Sequence, residues 1–147
     1  MKIVHIDMDD VLCDYSGAHA RIRKDFPLLD YPQSKTGFFL NLTPIQGALD
    51  AVGLLRDSDC LDVYVLTAPS TMNPQSYKEK REWIENNFDY EFTKKLIICP
   101  NKGLVKGHYL IDDNLHGKGQ EDFEGEVIHF GSERYPSWGD VINKLML

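Results

Sequence analysis

The sequence lacks the cysteine pattern of a disulfide-rich or zinc-binding protein. Its 147 residues include three cysteines, which are widely spaced and form no CxxC pair. An odd number of cysteines in this arrangement argues against a disulfide scaffold and against a structural zinc site. Basic residues are also few, since 16 Lys and Arg stand against 23 Asp and Glu, for a net charge of −7. Nucleic-acid polymers are bound by basic surfaces, so we expect no partner of that kind.

Long apolar runs are absent as well. No stretch approaches the roughly 18 apolar residues of a membrane-spanning helix. The first ten residues, MKIVHIDMDD, have too short an apolar run for a signal peptide. We therefore expect a cytoplasmic protein with no membrane partner. With 42% hydrophobic and 27% charged residues, the composition is that of an ordinary globular chain, and the length suits one domain.

Five short apolar runs alternate with segments that have helical features. The runs are Lys2–Ile6, Leu61–Leu66, Leu96–Cys99, Tyr109–Ile111 and Glu126–Phe130. Apolar residues recur at helical spacing over 15–25, and Thr43-Pro44 and Asn73-Pro74 are typical of helix starts. Ser137 to Asp140 resembles a capping box. This alternation predicts an α/β domain with a central, mainly parallel sheet.

Polar side chains follow four of these runs. They are Asp7, Asp9 and Asp10 after the first, Thr67 after the second, Lys102 after the third, and Asp112 and Asp113 after the fourth. Ligands of open parallel sheets bind beyond the carboxyl ends of the strands, so we expect one shared site. Crowded carboxylates repel one another, and Mg²⁺, which prefers carboxylate oxygens, relieves that repulsion. The set contains the groups that phosphoryl transfer needs.

Each feature also has a simpler interpretation, and two other functions use similar residues. Asp7 and Asp9 alone could be acids in a solvated turn, and Lys102 alone would more often be a surface lysine. A signalling receiver domain also combines an Asp cluster with Thr and Lys, but its Lys follows the other groups, so the order here disfavours it. The second of these functions is that of a non-catalytic protein that only binds a ligand, and the presence of the complete set of groups disfavours it.

The order Asp-x-Asp, Thr, Lys, Asp-Asp resembles the haloacid dehalogenase (HAD) superfamily of phosphotransferases. Within it, five segments in order resemble the 5'(3')-deoxyribonucleotidase family. They are DMDDVLCDY, GFFLNLTPIQGALDAV, VYVLTAPS, KEKREWIENNF and NKGLVKGHYLIDDN. The resemblance implies a HAD-like, Rossmannoid three-layer sandwich with a central, mainly parallel sheet. We expect residues 1–147 to form a single domain of this type.

The resemblance also implies a role for each motif residue. Asp7 is the nucleophile that becomes an aspartyl-phosphate, whereas Asp9 protonates the leaving hydroxyl and then activates water. Thr67 and Lys102 hold the phosphoryl oxygens. The residues implied to hold Mg²⁺ are Asp7, Asp9 through its main-chain carbonyl, Asp113 and, close by, Asp112. The implied substrate-binding residues are Tyr15, Phe39, Thr67, Ala68, Lys80 and Lys102, with Lys80 placed just behind the groups that touch the substrate.

The chain departs from this family chiefly in its cap. The family inserts a longer helical segment after the first motif, whereas here a reduced cap of about residues 16–40 is available. Ala68 stands where Ser is common, and Met72 stands where a Lys would extend toward the phosphate. Phe38 and Phe39 either both pack the cap onto the core, or one of them packs against a nucleobase or sugar, and we expect at least one in the core.

We therefore predict a Mg²⁺-dependent phosphomonoesterase that acts on deoxyribonucleoside 5'(3')-monophosphates. Because the cap is short, sugar phosphates and other small phosphorylated metabolites are alternative substrates. The same feature suggests a homodimer in which a second copy covers the open site.

Overall fold

The computed structural model describes residues 1–146, which form five strands and five α-helices. The strands are β1 (Lys2–Ile6), β2 (Leu61–Thr67), β3 (Leu96–Ile98), β4 (Tyr109–Asp112) and β5 (Glu126–His129). The α-helices are α1 (Tyr15–Asp25), α2 (Ala48–Asp57), α3 (Ser76–Asn87), α4 (Tyr90–Thr93) and α5 (Trp138–Met146). Short 3₁₀ helices cover Pro32–Ser34, Lys102–Leu104 and Gln120–Asp122.

All five strands are parallel, and their order in the sheet is β3-β2-β1-β4-β5. The predicted parallel sheet is thus confirmed. In the register of the central strand β1, Ile6 pairs with Val65 of β2 and with Ile111 of β4. The three strands therefore end at nearly the same level, which brings the residues that follow them to one edge.

One face of the sheet carries the larger core. Because side chains alternate along a strand, Val4 and Ile6 of β1 point to this face together, and both are fully buried. They pack in one cluster with apolar residues of α2, α3, α4 and α5, among them Trp83 and Val52. Burying a side chain of this size stabilises a fold by about 1.5–3 kcal/mol, so this face contributes most of the hydrophobic stabilisation.

The opposite face is covered by a thinner layer. Its core cluster contains Leu66, Leu110 and Phe123, and the covering segments hold 3₁₀ helices instead of α-helices. The main chain lies close to the sheet here, since a Cβ added to Gly107 would lie 2.5 Å from the His5 ring. The third layer of the sandwich is therefore made mainly of irregular chain.

The predicted helix start at Thr43-Pro44 is wrong, because α2 begins at Ala48 after Gly47 in a left-handed conformation (φ 81°). The preceding segment instead pairs with the loop that follows β1. Pro44 forms a bridge with Cys13, and the main-chain N–H of Ile45 donates to Leu12. This tertiary pairing outweighs the local preference for a helix.

The start of α3 also lies later than Asn73-Pro74 predicts, because Asn73 caps a turn before the helix. Its Oδ1 accepts the main-chain N–H of Gln75 at 2.9 Å, and α3 begins at Ser76. Half of the predicted capping box at α5 is present, since the Asp140 carboxylate accepts the N–H and the hydroxyl of Ser137 at 3.2 and 2.8 Å, whereas the N–H of Asp140 donates to the Ser137 carbonyl. No helix within residues 1–146 is long and apolar enough to cross a membrane.

Candidate active site

The loop after β1 turns tightly around one carbonyl oxygen and directs two carboxylates into a cleft. The main-chain oxygen of Met8 accepts N–H groups from the three residues 11–13 at 2.8–3.1 Å. Asp10 adopts a left-handed conformation (φ 63°), which is uncommon for a residue other than glycine. Its carboxylate accepts the main-chain N–H and the hydroxyl of Ser16 at 2.8 and 2.5 Å, so the loop is tied to the start of α1.

On the β4 side of the cleft, a buried lysine lies between two carboxylates. Lys102 Nζ is 2.9 Å from Asp7 Oδ1 and 2.6 Å from Asp112 Oδ2. Burial lowers the pKa of Lys102, but the charges of Asp7 and Asp112 outweigh burial and raise its pKa above the usual value. The ammonium is therefore charged, and it partly neutralises the acids around it.

Three carboxylates at this side could hold a divalent cation. One oxygen from each of Asp7, Asp112 and Asp113 lies within 4.8 Å of the others. Within residues 1–146, Asp113 Oδ1 is buried without a hydrogen-bond partner. Burial raises the pKa of Asp113 to about 6 and the pKa of Asp7 well above its usual range. Clustered carboxylate oxygens with one unpaired atom fit a hard cation such as Mg²⁺.

Asp112 has a different environment from the other two acids. Its Oδ2 accepts from Lys102 and, at 3.3 Å, from Gln120 Nε2, and its Oδ1 accepts the N–H of Asn114 at 2.9 Å. Both oxygens thus have partners, and the residue is fully buried. In this arrangement Asp112 orients Lys102, whereas Asp7 and Asp113 have the oxygens best placed for a cation.

On the β2 side of the cleft, a second buried lysine contacts the other carboxylate. Lys80 Nζ is 3.0 Å from Asp9 Oδ2 and 2.7 Å from Thr67 Oγ1. Lys80 and Thr67 are almost completely buried, whereas the side chain of Asp9 is partly exposed. Lys80 and Thr67 therefore lie behind the cleft, and Asp9 stands between Lys80 and the cavity.

A cavity of about 370 Å³ lies over these groups. The sequence-predicted residues that line it are Asp7, Asp9, Tyr15, Phe39, Ala68, Lys102 and Asp113. Three other sequence-predicted residues, Thr67, Lys80 and Asp112, are buried behind the lining. The cavity is also lined by Asp10, which follows β1 as the sequence indicated, and by Met72. The remaining lining residues had no role assigned from the sequence, and they are Gln33, Pro69, Ser70, Thr71, Asn114, Lys118 and Gln120.

One wall of the cavity is aromatic. The ring of Phe39 lies 6.0 Å from that of Tyr15 and 5.0 Å from that of Phe38, measured between centroids. Both phenylalanines belong to the buried core cluster, and Phe39 also lines the cavity whereas Phe38 does not. Burial and the charges of Asp9 and Asp10 raise the pKa of Tyr15 to about 12, so its hydroxyl stays protonated.

The loop after β4 adds residues that the sequence motifs missed. Gln120 Oε1 accepts the main-chain N–H of Lys118 at 2.7 Å, and the Lys118 carbonyl accepts the N–H of Lys102 at 2.7 Å. This irregular loop has no periodic pattern that would reveal these contacts. Gly119 gives the best signal, because its φ is 84° and an added Cβ would lie 1.9 Å from Asn101 Oδ1.

Comparison with known proteins matches most of the chain to one family. Residues 27–143 match the family described as "5' nucleotidase, deoxy (Pyrimidine), cytosolic type C protein". A Vibrio phage KVP40 protein with the provisional name 5'(3')-deoxyribonucleotidase is 36% identical, over 97% of this chain and 84% of its own. The 5'(3')-deoxyribonucleotidase of Bacillus subtilis is 28% identical, over 99% of both chains.

The fold has a counterpart among solved structures. A protein of Bacillus subtilis described as a HAD-hydrolase and solved with magnesium superposes with a TM-score of 0.62. The match covers 99% of both chains at 12% identity, so it bears on the fold alone. The family match over residues 27–143 and the 36% identity along almost the whole sequence place this chain in the 5'(3')-deoxyribonucleotidase family.

Proposed function

We propose that the protein is a Mg²⁺-dependent phosphatase that hydrolyses deoxyribonucleoside 5'(3')-monophosphates through an aspartyl-phosphate. The observation that carries this proposal is the arrangement at the end of β1. There Asp7 Oδ1 lies 2.9 Å from Lys102 Nζ. A carboxylate oxygen of Asp7 and one of Asp113 also lie within 4.8 Å of each other, close enough to bind one cation. A nucleophile, a fixed positive charge and a cation site thus share one cleft, which suits in-line displacement at phosphorus.

In the first step, a carboxylate oxygen of Asp7 attacks phosphorus and the ester P–O bond breaks. Asp9 gives a proton to the departing alkoxide, which leaves as the nucleoside hydroxyl. Lys102 lies beside Asp7 and is placed to bind a phosphoryl oxygen. In the second step, Asp9 removes a proton from water, which attacks phosphorus and breaks the bond to Asp7. Inorganic phosphate leaves and both carboxyl groups are restored.

Asp7, Asp113 and the main-chain carbonyl of Asp9 would hold Mg²⁺, with Asp112 supporting Lys102 next to them. When bound, the cation supplies positive charge that offsets the charge of the phosphoryl oxygens. The unpaired oxygen of Asp113 supports this set, because a buried carboxylate oxygen without a partner is costly unless a cation or proton compensates it.

The cavity wall supports a nucleotide over a sugar phosphate. Tyr15, Phe39 and Met72 provide an apolar surface, and Gln33 adds a carboxamide whose Oε1 has no hydrogen-bond partner within residues 1–146. A flat base could use both features, whereas a small sugar phosphate would leave the apolar surface in water. The cavity volume also lies within the range of small-molecule sites.

A phosphatase screen over deoxynucleotides, ribonucleotides and sugar phosphates, with Mg²⁺ and with EDTA, tests the proposal. We expect phosphate release from deoxynucleoside monophosphates that EDTA abolishes, with Asp7→Asn as the control for a contaminating phosphatase. Sugar phosphates turned over faster than nucleotides would favour the alternative substrate class. A phosphorylated protein that lasts for minutes would favour the receiver-like function instead.

The reduced cap leaves apolar side chains in solvent. Phe26, Leu28 and Tyr31 are exposed, Leu28 at 94%, and so is Met72 on the cavity wall. A homodimer in which a second copy covers this segment would bury them. Light scattering after size exclusion should then give twice the monomer mass, and a monomer at all concentrations would contradict it. The cytoplasmic location stays a prediction.

A further inference from the structure

Helix α3 carries two adjacent buried charges that reach different parts of the site. The first is Glu79, whose carboxylate accepts three main-chain N–H groups of the segment that leaves the cap. Its Oε2 accepts from Gly37 at 3.0 Å, and its Oε1 accepts from Phe39 and Leu40 at 3.1 and 3.2 Å. These bonds fix the path of the segment that places Phe39 on the cavity wall.

The second charge is Lys80, which is 1% exposed and does not line the cavity. Its ammonium contacts Asp9 and Thr67, and it also lies 4.9 Å from the ring centroid of Phe39. Burying an ammonium is costly unless its partners are well placed. The contacts of the Lys80 ammonium therefore fix the relative positions of Asp9, Thr67 and Phe39. Two of these residues, Asp9 and Phe39, line the cavity.

The carboxylate of Asp9 depends on Lys80 for its orientation. Within residues 1–146, its hydrogen-bond partners are Lys80 at 3.0 Å and Cys13 Sγ at 3.7 Å, and the thiol is a weak donor. Asp7, in contrast, is enclosed on the other side of the cleft by Lys102, Asp112 and Asp113. Loss of Lys80 would leave Asp9 free to rotate, whereas the surroundings of Asp7 would stay intact.

We propose that Lys80 is a positioning residue that orients the Asp9 carboxylate toward the leaving group. Glu79, the preceding residue of α3, holds the segment that carries Phe39, so the same helix positions Asp9 and the aromatic wall. This inference rests on the proposed function. It predicts that loss of Lys80 harms proton transfer to the leaving group and spares attack by Asp7. The effect should therefore depend on how much the leaving group needs a proton.

Single-turnover kinetics of Lys80→Met on two substrates test this inference. With a deoxynucleoside monophosphate, whose alkoxide needs a proton, we expect cleavage to slow by about 10²-fold, as misplaced catalytic groups do. With p-nitrophenyl phosphate, whose nitrophenolate leaves without a proton, the rate of nitrophenolate release in a single turnover should change by no more than a few-fold. Lys78→Met is the matched control, because Lys78 lies on the same helix with its side chain 73% exposed.

The inference would be overturned if cleavage of both substrates slowed equally or if neither slowed. Either result would show that Lys80 has no specific effect on proton transfer to the leaving group. An inactive wild-type protein would instead refute the proposed function, so the two failures can be told apart. If Lys80→Met does not fold, Lys80→Gln keeps a polar group in the site but cannot reach Asp9, and it is measured in the same way.

Discussion

The two sides of the cleft each contain a buried lysine, but the lysines have different surroundings. On the β4 side, Lys102 lines the cavity and lies between the buried carboxylates of Asp7 and Asp112. On the β2 side, Lys80 lies behind Asp9 and also contacts a neutral hydroxyl. Under the proposed function, the lysine that faces the cavity would bind phosphate, and the lysine behind the lining would orient another side chain.

The largest expected effect is on the β4 side, from loss of the nucleophile. Asp7→Asn keeps the shape of the side chain but cannot form the aspartyl-phosphate, so turnover should fall by at least about 10⁴-fold. Lys102 keeps Asp112 as a partner, so the protein should still fold. Steady-state phosphate release and thermal unfolding measure both points. Full activity would remove Asp7 from the mechanism.

The next effect concerns the carboxylate on the β2 side. Asp9→Asn should slow both half-reactions, by roughly 10²–10⁴-fold each, because one residue serves as acid and then as base. Rapid-quench measurements of aspartyl-phosphate formation and decay would separate the steps. If phosphate release equals that of the wild type, Asp9 does not transfer protons and the two sides of the cleft are not specialised as proposed.

The two lysines should also differ in their effect on stability. Lys102→Met leaves two buried carboxylates without their cation and should cost about 3–5 kcal/mol. Lys80→Met removes the ammonium from Asp9, but water can reach the Asp9 carboxylate. The free energy of unfolding should therefore fall by only about 1–3 kcal/mol. Urea unfolding in EDTA measures both values. Equal losses would show that the two lysines are equivalent in the fold, which would weaken the contrast drawn above.

The smallest effect is the pH dependence of the β4 side without metal. Burial raises the pKa of Asp113 from 3.8 to about 6 and also raises the pKa of Asp7. The folded state then binds protons more tightly than the unfolded state, so the contribution of Asp113 to stability is full below about pH 4 and is lost as the pH rises through about 6. The raised pKa of Asp7 acts in the same direction.

In EDTA, the melting temperature should therefore increase modestly as the pH is lowered from 7 to 5. Added Mg²⁺ should stabilise the protein most above pH 6, where it no longer competes with protons. Thermal melts with Mg²⁺ and with EDTA across this range test the sign. Asp113→Asn should weaken both trends, and a metal-free protein that loses stability below pH 6 would contradict the assignment.

Much of the site could be predicted because it depends on regular elements. Apolar runs indicated the strands, and parallel pairing then brought Asp7, Thr67 and Asp112 to one edge. The helix start at Thr43-Pro44 failed because local capping signals say nothing about pairing with Cys13. Gln120 was missed for a related reason, since its contacts depend on an irregular loop.

The charges of α3 show a further limit. Glu79 and Lys80 are buried on the side of the helix that also buries Trp83 and Ile84. Sequence periodicity places both residues on that side but does not show which groups contact the two charges. Their partners lie about 40 and 70 residues away in the sequence. The resemblance to the family placed Lys80 close to the site, and the structure adds that it contacts Asp9 and Thr67.

The way the cap is attached bears on how this enzyme could acquire new specificity. Glu79 binds N–H groups of residues 37–40, and Asn73 donates to the carbonyls of Gln33 and Lys35. Both anchors contact the main chain, so we expect that most side chains of residues 26–36 can be exchanged while the path of this segment is kept. Libraries randomised at residues 26–36 should therefore alter substrate choice at little cost in folding, as loops on a fixed framework do in antibodies.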